Sequence, residues 1–191
     1  MITRNYITVV TGMPRSGTSL MMQMLEAGGI TALTDDRRPP DIHNPRGYFE
    51  YDRVKRIAQD ASWMDGARGK AVKIIYRLLP HLPPDFEYRV VFMDRDLGEV
   101  FASQRDMLRA RGDAAVDQQE EPITAAFAAE LQQTRSWLNA QTNIRTLFPV
   151  YADIISDPAP WSGELSRFLD GLNVSAMEAV VDPGLRHHWN C

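Results

Sequence analysis

Tyr6-Ile7-Thr8-Val9-Val10-Thr11-Gly12-Met13-Pro14-Arg15-Ser16-Gly17-Thr18-Ser19-Leu20 is a β-branched run that breaks at Gly12 and reopens at Thr18 as a helical pattern. The run is short, apolar and bounded by turn residues, which suits a strand buried on both faces. Beyond it, Leu20, Met21, Met24 and Leu25 recur at helical spacing, and Gly28-Gly29 ends the helix. A turn between such a strand and such a helix aims backbone N–H groups and the positive helix end into the loop, which suits a phosphate or sulfate. An ordinary strand-to-helix turn carries the same pattern with no ligand, so the choice between them rests on the remainder of the chain.

Outward from this stretch, β-branched runs alternate with helical patterns, and no internal repeat or Gly/Ser linker interrupts them. Lys70–Ile75, Tyr88–Met93 and Ile144–Tyr151 read as further strands. A short helix is expected from Asp52 to Trp63. After the third strand, Leu97, Val100, Phe101 and Leu108 mark a helix opened by an Asp96/Glu99 capping box and ended by Gly112. A longer helix is expected from Pro122, with Ile123, Phe127, Leu131 and Leu138 on one face. Leu165, Phe168 and Leu169 mark another, and Ser175 with Glu178 caps a last short one. This alternation predicts an α/β fold, three layers α/β/α around a mostly parallel central sheet. With 191 residues, 44% of them hydrophobic, a single domain over 1–191 is expected. Residues 34–51, which carry Arg37, Arg38, Pro39, Pro40, Pro45 and Gly47, form a connection long enough to expect a functional loop.

The net charge of −4 is unevenly spread. Residues 1–112 hold 17 Lys/Arg against 14 Asp/Glu, a balance of +3, and residues 113–191 hold 4 against 11, a balance of −7. A locally basic half in an acidic chain favours a small anionic ligand over long nucleic acid, which calls for a continuous basic face. The single cysteine, Cys191, excludes an intrachain disulfide and a thiolate metal cluster. The longest stretch without Asp, Glu, Lys or Arg is ten residues, too short for a membrane span, and the N-terminal run lacks a cleavage-site pattern, so a cytoplasmic protein is expected.

In the loop the glycines Gly12 and Gly17 are spaced as in the nucleotide-triphosphate motif G-x-x-x-x-G-K-[ST], but Thr18 stands at the lysine position and Arg15 is the only cation inside. A divergent P-loop kinase would need another cation for the outer phosphates and an acid for magnesium, for which Asp94 at the end of the third strand is the candidate. Arg95 follows directly, with Ser103 two helical turns later. Ligands of open α/β sheets gather at the carboxyl ends of strands, so Arg95 and Ser103 can converge with Arg15 on one anion, the arginine by its fork and the serine by a directional hydroxyl. Pairing of Arg95 with Asp94 or Asp96, and a solvated Ser103, are the plain alternatives.

Taken together, these segments resemble the sulfotransferases that use 3′-phosphoadenosine 5′-phosphosulfate, PAPS. Pro14-Arg15-Ser16-Gly17-Thr18-Ser19 is similar to that family's 5′-phosphosulfate loop, P-[KR]-[ST]-G-[TS]-[TS]. Arg95 and Ser103 match its 3′-phosphate pair, Lys73 falls where many members carry a lysine near the reacting centre, and Tyr151-Ala152-Asp153-Ile154 with Asp157-Pro158 resembles its late strand and turn. The resemblance implies a P-loop NTPase-like fold and sulfuryl transfer to a hydroxyl or amine of a small-molecule acceptor, with PAPS as donor and no metal. It implies Arg15, Lys73 and the residues 16–19 at the transferring group, with Ser16, Gly17, Thr18 and Ser19 binding the donor beside Arg15, Arg95 and Ser103.

The chain departs from the resemblance at Ile75, where many relatives carry a histidine base. If the protein is an enzyme, its base must come from elsewhere; other branches of the family use a carboxylate, and Asn44-Pro45-Arg46-Gly47-Tyr48-Phe49-Glu50 resembles a segment of bacterial relatives, which makes Glu50 the expected base ahead of Asp35, Asp36 and His43. A helix cap or first-turn acid is the structural alternative for Glu50. Arg186, His187 and His188 near the terminus lack an acidic partner for a metal site and depart from the family's basic tail. A noncatalytic PAPS- or nucleotide-binding module is the competing function, together with the divergent kinase.

Overall fold

The computed structural model describes residues 4–35, 47–110, 120–182 and 184. Four strands form the sheet: β1 Ile7–Gly12, β2 Ala71–Lys73, β3 Tyr88–Met93 and β4 Ile144–Leu147. They lie in the order β2-β1-β3-β4, and every pair is parallel, with Val10 opposite both Lys73 and Val91, and Val91 opposite Leu147.

Successive side chains of a strand point to opposite faces, so each strand feeds two cores. Ile7, Val9, Val72, Ile74, Tyr88, Val90 and Phe92 point to one face and pack with Val54, Trp63, Met64, Leu79, Val100 and Leu138. Tyr6, Val10, Ala71, Val91 and Met93 point to the other and pack with Leu20, Met21, Met24, Leu25, Ile154, Leu165 and Met177. The first face is covered by α2 (Leu97–Ala110) and α3 (Glu120–Ala140), and the second by α1 (Thr18–Ala27), α4 (Tyr151–Ser156), α5 (Pro158–Phe168) and α6 (Val174–Ala179). The fold is therefore the expected three-layer α/β/α sandwich on a parallel sheet, with the strand–loop–helix of P-loop folds at its centre. No helix among the described residues is long and apolar enough to cross a membrane.

Local expectations needed correction where the chain runs into proline or a better cap. The last strand stops at Leu147 instead of reaching Tyr151. Pro149 brings no N–H to extend the ladder; its carbonyl accepts the Asp94 N–H at 2.8 Å, and Tyr151 opens α4. The segment Tyr151-Ala152-Asp153-Ile154 is thus helical, not strand and turn. The second strand keeps only Ala71–Lys73 of Lys70–Ile75, and the helix expected over Asp52–Trp63 is a 3-10 turn at Asp52–Arg56 followed by further turns. The cap of α6 is Asn173, whose Oδ1 accepts the Ala176 N–H at 3.0 Å, so Ser175 lies inside the helix. The Asp96 cap holds, with the Glu99 N–H donating to Asp96 Oδ1 at 3.1 Å. Asp36, Arg37, Arg38, His43, Arg46, Gly112 and the tail with Arg186, His187 and His188 lie outside the described residues.

Candidate functional site

From β1 the chain passes to β2 on one side of the sheet, and from β3 to β4 on the other. Connections that leave in opposite directions open a crevice beyond the carboxyl ends of β1 and β3, where α/β folds place ligands. The loop after β1 carries Arg15, and the chain after β3 carries Arg95.

Two glycines let that loop close down on its neighbours. Gly12 has φ 147°, and a Cβ there would stand 2.5 Å from Ser16 Oγ and 2.8 Å from the Met93 carbonyl. Gly17, at φ 94°, is the N-cap of α1, and a Cβ there would stand 2.4 Å from the ring of Tyr151. Inside the loop the Ser16 N–H donates to the Met13 carbonyl at 3.1 Å. The first intrahelical bond runs from the Met21 N–H to the Gly17 carbonyl at 3.0 Å, so the amides before it point out of the helix end toward the loop. The first turn of α1 holds no acidic residue, and Ser16 Oγ is buried with no hydrogen-bond partner among the described residues.

Arg15 stands at φ 70°, a left-handed conformation that costs a non-glycine residue about 1–3 kcal/mol and persists only when its surroundings hold it. Two contacts do so. The Arg15 carbonyl accepts from Arg95 Nη1 at 2.8 Å, and Arg15 Nε donates to Ser103 Oγ at 3.0 Å, with Ser103 buried on α2. Arg95 in turn donates from Nε to Glu99 Oε2 at 3.0 Å, and its guanidinium carbon lies 4.3 Å from the Tyr151 ring centroid. The side chains of Arg95 and Glu99 are 6% and 13% exposed. Burial is the largest influence on the Tyr151 phenol and raises its pKa, keeping it neutral beside the arginine.

Neither plain alternative for Arg95 holds, since its carboxylate partner is Glu99. Asp94 is engaged on the far side by Arg135 of α3 at 2.7 Å, and that guanidinium also stacks 4.7 Å from the Phe148 ring. An acid committed to an arginine is poorly placed to serve magnesium. Among the described residues, no three His, Cys, Asp or Glu side chains gather as metal ligands.

Lys73 ends β2 next to β1 and donates from Nζ to the carbonyl of Tyr48, whose ring centroid lies 6.0 Å away. That contact ties the segment carrying Glu50 to the carboxyl edge of the sheet. Glu50 is half-buried, and its carbonyl accepts from the Asp35 N–H at 3.2 Å and Thr34 Oγ1 at 3.0 Å. The 3-10 turn after it is capped by Asp35, whose Oδ2 accepts the Asp52 N–H at 2.7 Å, so the cap proposed as the alternative role of Glu50 belongs to Asp35. Ile75 is 51% exposed, the one large hydrophobic so exposed among the described residues.

The structure thus gathers Arg15, Ser16, Gly17, Thr18, Ser19, Arg95 and Ser103 at one crevice, with Lys73 and Glu50 at the adjoining strand end. Sequence reasoning passed over Glu99 as an arginine partner, although its four-residue spacing from Arg95 was the available signal. Arg135 could not be found that way, because nothing local links it to Asp94.

The molecule is a three-layer α/β protein that brings Arg15, Arg95 and the start of α1 together at the carboxyl edge of its parallel sheet. Among solved structures it is similar to the sulfotransferase domain of the olefin synthase from Synechococcus PCC 7002, at 16% identity and TM-score 0.55, over 97% of this chain and 87% of that one. It is similar also to the sulfotransferase domain from the curacin biosynthetic pathway, at 16% identity and TM-score 0.57, over 95% and 79%. A mouse sulfotransferase complexed with PAP matches at 13% identity and TM-score 0.52, over 93% of this chain and 63% of that chain. At these identities the likeness is one of fold. No protein-family model and no curated protein sequence matches the chain.

Proposed function

We propose that this chain is a transferase that moves a sulfuryl group from PAPS to a hydroxyl or amine of a small acceptor, leaving 3′-phosphoadenosine 5′-phosphate. The observation that carries the reading is the hydrogen-bonded group Arg15, Ser103 and Arg95, drawn from two strand ends to one crevice beside the start of α1. The likeness of fold to sulfotransferase domains supports it.

The residues present suit the donor. A 5′-phosphosulfate in the loop would meet the amides of residues 17–19, the buried Ser16 hydroxyl, Arg15, and no acid in the first turn of α1. Arg95 and Ser103 offer a second phosphate a guanidinium charge and a hydroxyl. When bound, the donor supplies a sulfuryl group whose bond to the 5′-phosphate oxygen breaks as a bond from the acceptor oxygen or nitrogen to sulfur forms. Arg15 and Lys73 balance the charge gathering on the departing phosphate, and Glu50 receives the proton that the acceptor gives up.

The pairing of Asp94 with Arg135 weighs against a magnesium-dependent kinase. A noncatalytic nucleotide-binding module is the second reading, favoured by Ile75, an exposed side chain that cannot take a proton where many relatives of the resembled family carry histidine.

Calorimetric titration with 3′-phosphoadenosine 5′-phosphate, 5′-AMP and magnesium-ATP tests the proposal. The bisphosphate is expected to bind at least about tenfold more tightly than 5′-AMP, with most of that preference lost in Arg95→Ala, in line with removal of a charge-assisted contact. Preference for magnesium-ATP, or no binding, overturns it. Glu50→Gln is expected to stop turnover while binding survives. Bisphosphate binding without turnover of any hydroxyl or amine acceptor would favour the module.

A further inference from the structure

We infer that Glu99 is a positioning residue for the recognition of the 3′-phosphate, setting the plane and rotation of the Arg95 guanidinium; this rests on the nucleotide reading above. Glu99 is 13% exposed beside a crevice whose other named charges are Arg15 and Arg95. A carboxylate there works against anion binding through its charge, and burying it costs desolvation, so charge complementarity to the ligand does not account for it. Geometry does. Arg95 Nε donates to Glu99 Oε2 at 3.0 Å, and Nη1 donates to the Arg15 carbonyl at 2.8 Å. The Tyr151 ring lies under the face at 4.3 Å from the guanidinium carbon. Two hydrogen bonds on different edges of a planar group, with a ring against its face, leave it one orientation.

The sequence provides this economically. Arg95 is the last residue before the Asp96 cap of α2, and Glu99 sits one helical turn later, at the four-residue spacing that brings side chains together. The same guanidinium holds the carbonyl of Arg15 in its left-handed conformation, so Glu99 fixes the orientation of Arg95 before any ligand arrives, and ligand binding spends less on ordering it.

The test compares wild type, Glu99→Gln and Glu99→Met by titration with 3′-phosphoadenosine 5′-phosphate and with 5′-AMP, alongside thermal melts. Glu99→Met keeps the volume and removes the acceptor; it is expected to weaken bisphosphate binding about tenfold or more while 5′-AMP binding changes by less than about threefold. Glu99→Gln keeps an acceptor at the same reach and is expected to restore the bisphosphate preference to within about threefold of wild type. Should Glu99→Met fail to fold, Glu99→Ala, which leaves room for water beside Arg95, takes its place with the same expectation. Wild-type preference in the acceptor-free variant, equal weakening of both nucleotides, or loss of preference in Glu99→Gln overturns the inference and leaves the nucleotide reading standing. Absence of any bisphosphate preference in wild type overturns both.

Discussion

Gly17 sits where the loop turns into α1, and the absence of a side chain is what lets the Tyr151 ring approach its Cα while Arg95 stacks on the same ring. Gly17→Ala is expected to cost about 2–4 kcal/mol, from a left-handed φ that alanine resists and a Cβ 2.4 Å from the ring carbon. Urea denaturation measures that loss, and a cost under about 0.5 kcal/mol would mean that Tyr151 moves aside freely. Displacing Tyr151 also removes the support under Arg95, so nucleotide affinity is expected to fall in the same variant. Among the named side chains, Arg15 shows how far a single residue can be read: its place in the loop was legible, whereas its contact with Ser103 spans 88 positions and its backbone angle has no local signature.

Helix α3 is held over the 3-10 turn Tyr76–His81 by a two-pronged ion pair, Arg77 Nε to Glu130 Oε1 at 2.6 Å and Nη2 to Oε2 at 2.7 Å. The hydrogen bond from Arg77 is the largest influence on Glu130 and lowers its pKa. A carboxyl whose folded value lies below its unfolded value of about 4.3 takes up fewer protons folded than unfolded. The stability it contributes is therefore present above that value and lost as pH falls through the folded one. Glu130→Gln is expected to melt at most about 3 °C lower than wild type at pH 7, with the gap closing below about pH 4. A gap that widens on acidification would show that the pair does not link the two elements in this way. The chain's other elements show where local pattern suffices. The apolar stripe of α1 was readable from four side chains, while β4 ends at Leu147, ahead of Pro149, which has no N–H to donate to the ladder.

Both faces of the sheet carry a core, and no strand contributes to one alone. Such an arrangement is expected to unfold as a unit, because removing either layer exposes the sheet that the other packs on. Leu79→Ala on one face and Leu25→Ala on the other, both fully buried, are each expected to cost about 2–5 kcal/mol and to shift one shared transition. Trp63 reports on the first core and Trp161 packs against the second, so fluorescence of single-tryptophan variants separates the layers. Two transitions with different midpoints would show that 1–191 is not one cooperative domain.

The α/β class, the parallel sheet and the placing of the loop residues follow from patterns contained within short windows: the β-branched run into Gly12, the glycine spacing around Arg15, and the eight-residue interval from Arg95 to Ser103. Local sterics and side-chain alternation act over a few residues, so such features can be read without folding the chain. The partners of the charged groups cannot. Arg95 had three acids within four positions and took Glu99, while Asp94 found Arg135 forty-one positions on. Those choices were made by which carboxylate the packed helices carry to which guanidinium once water is excluded, a property of burial and distance that no window of sequence contains.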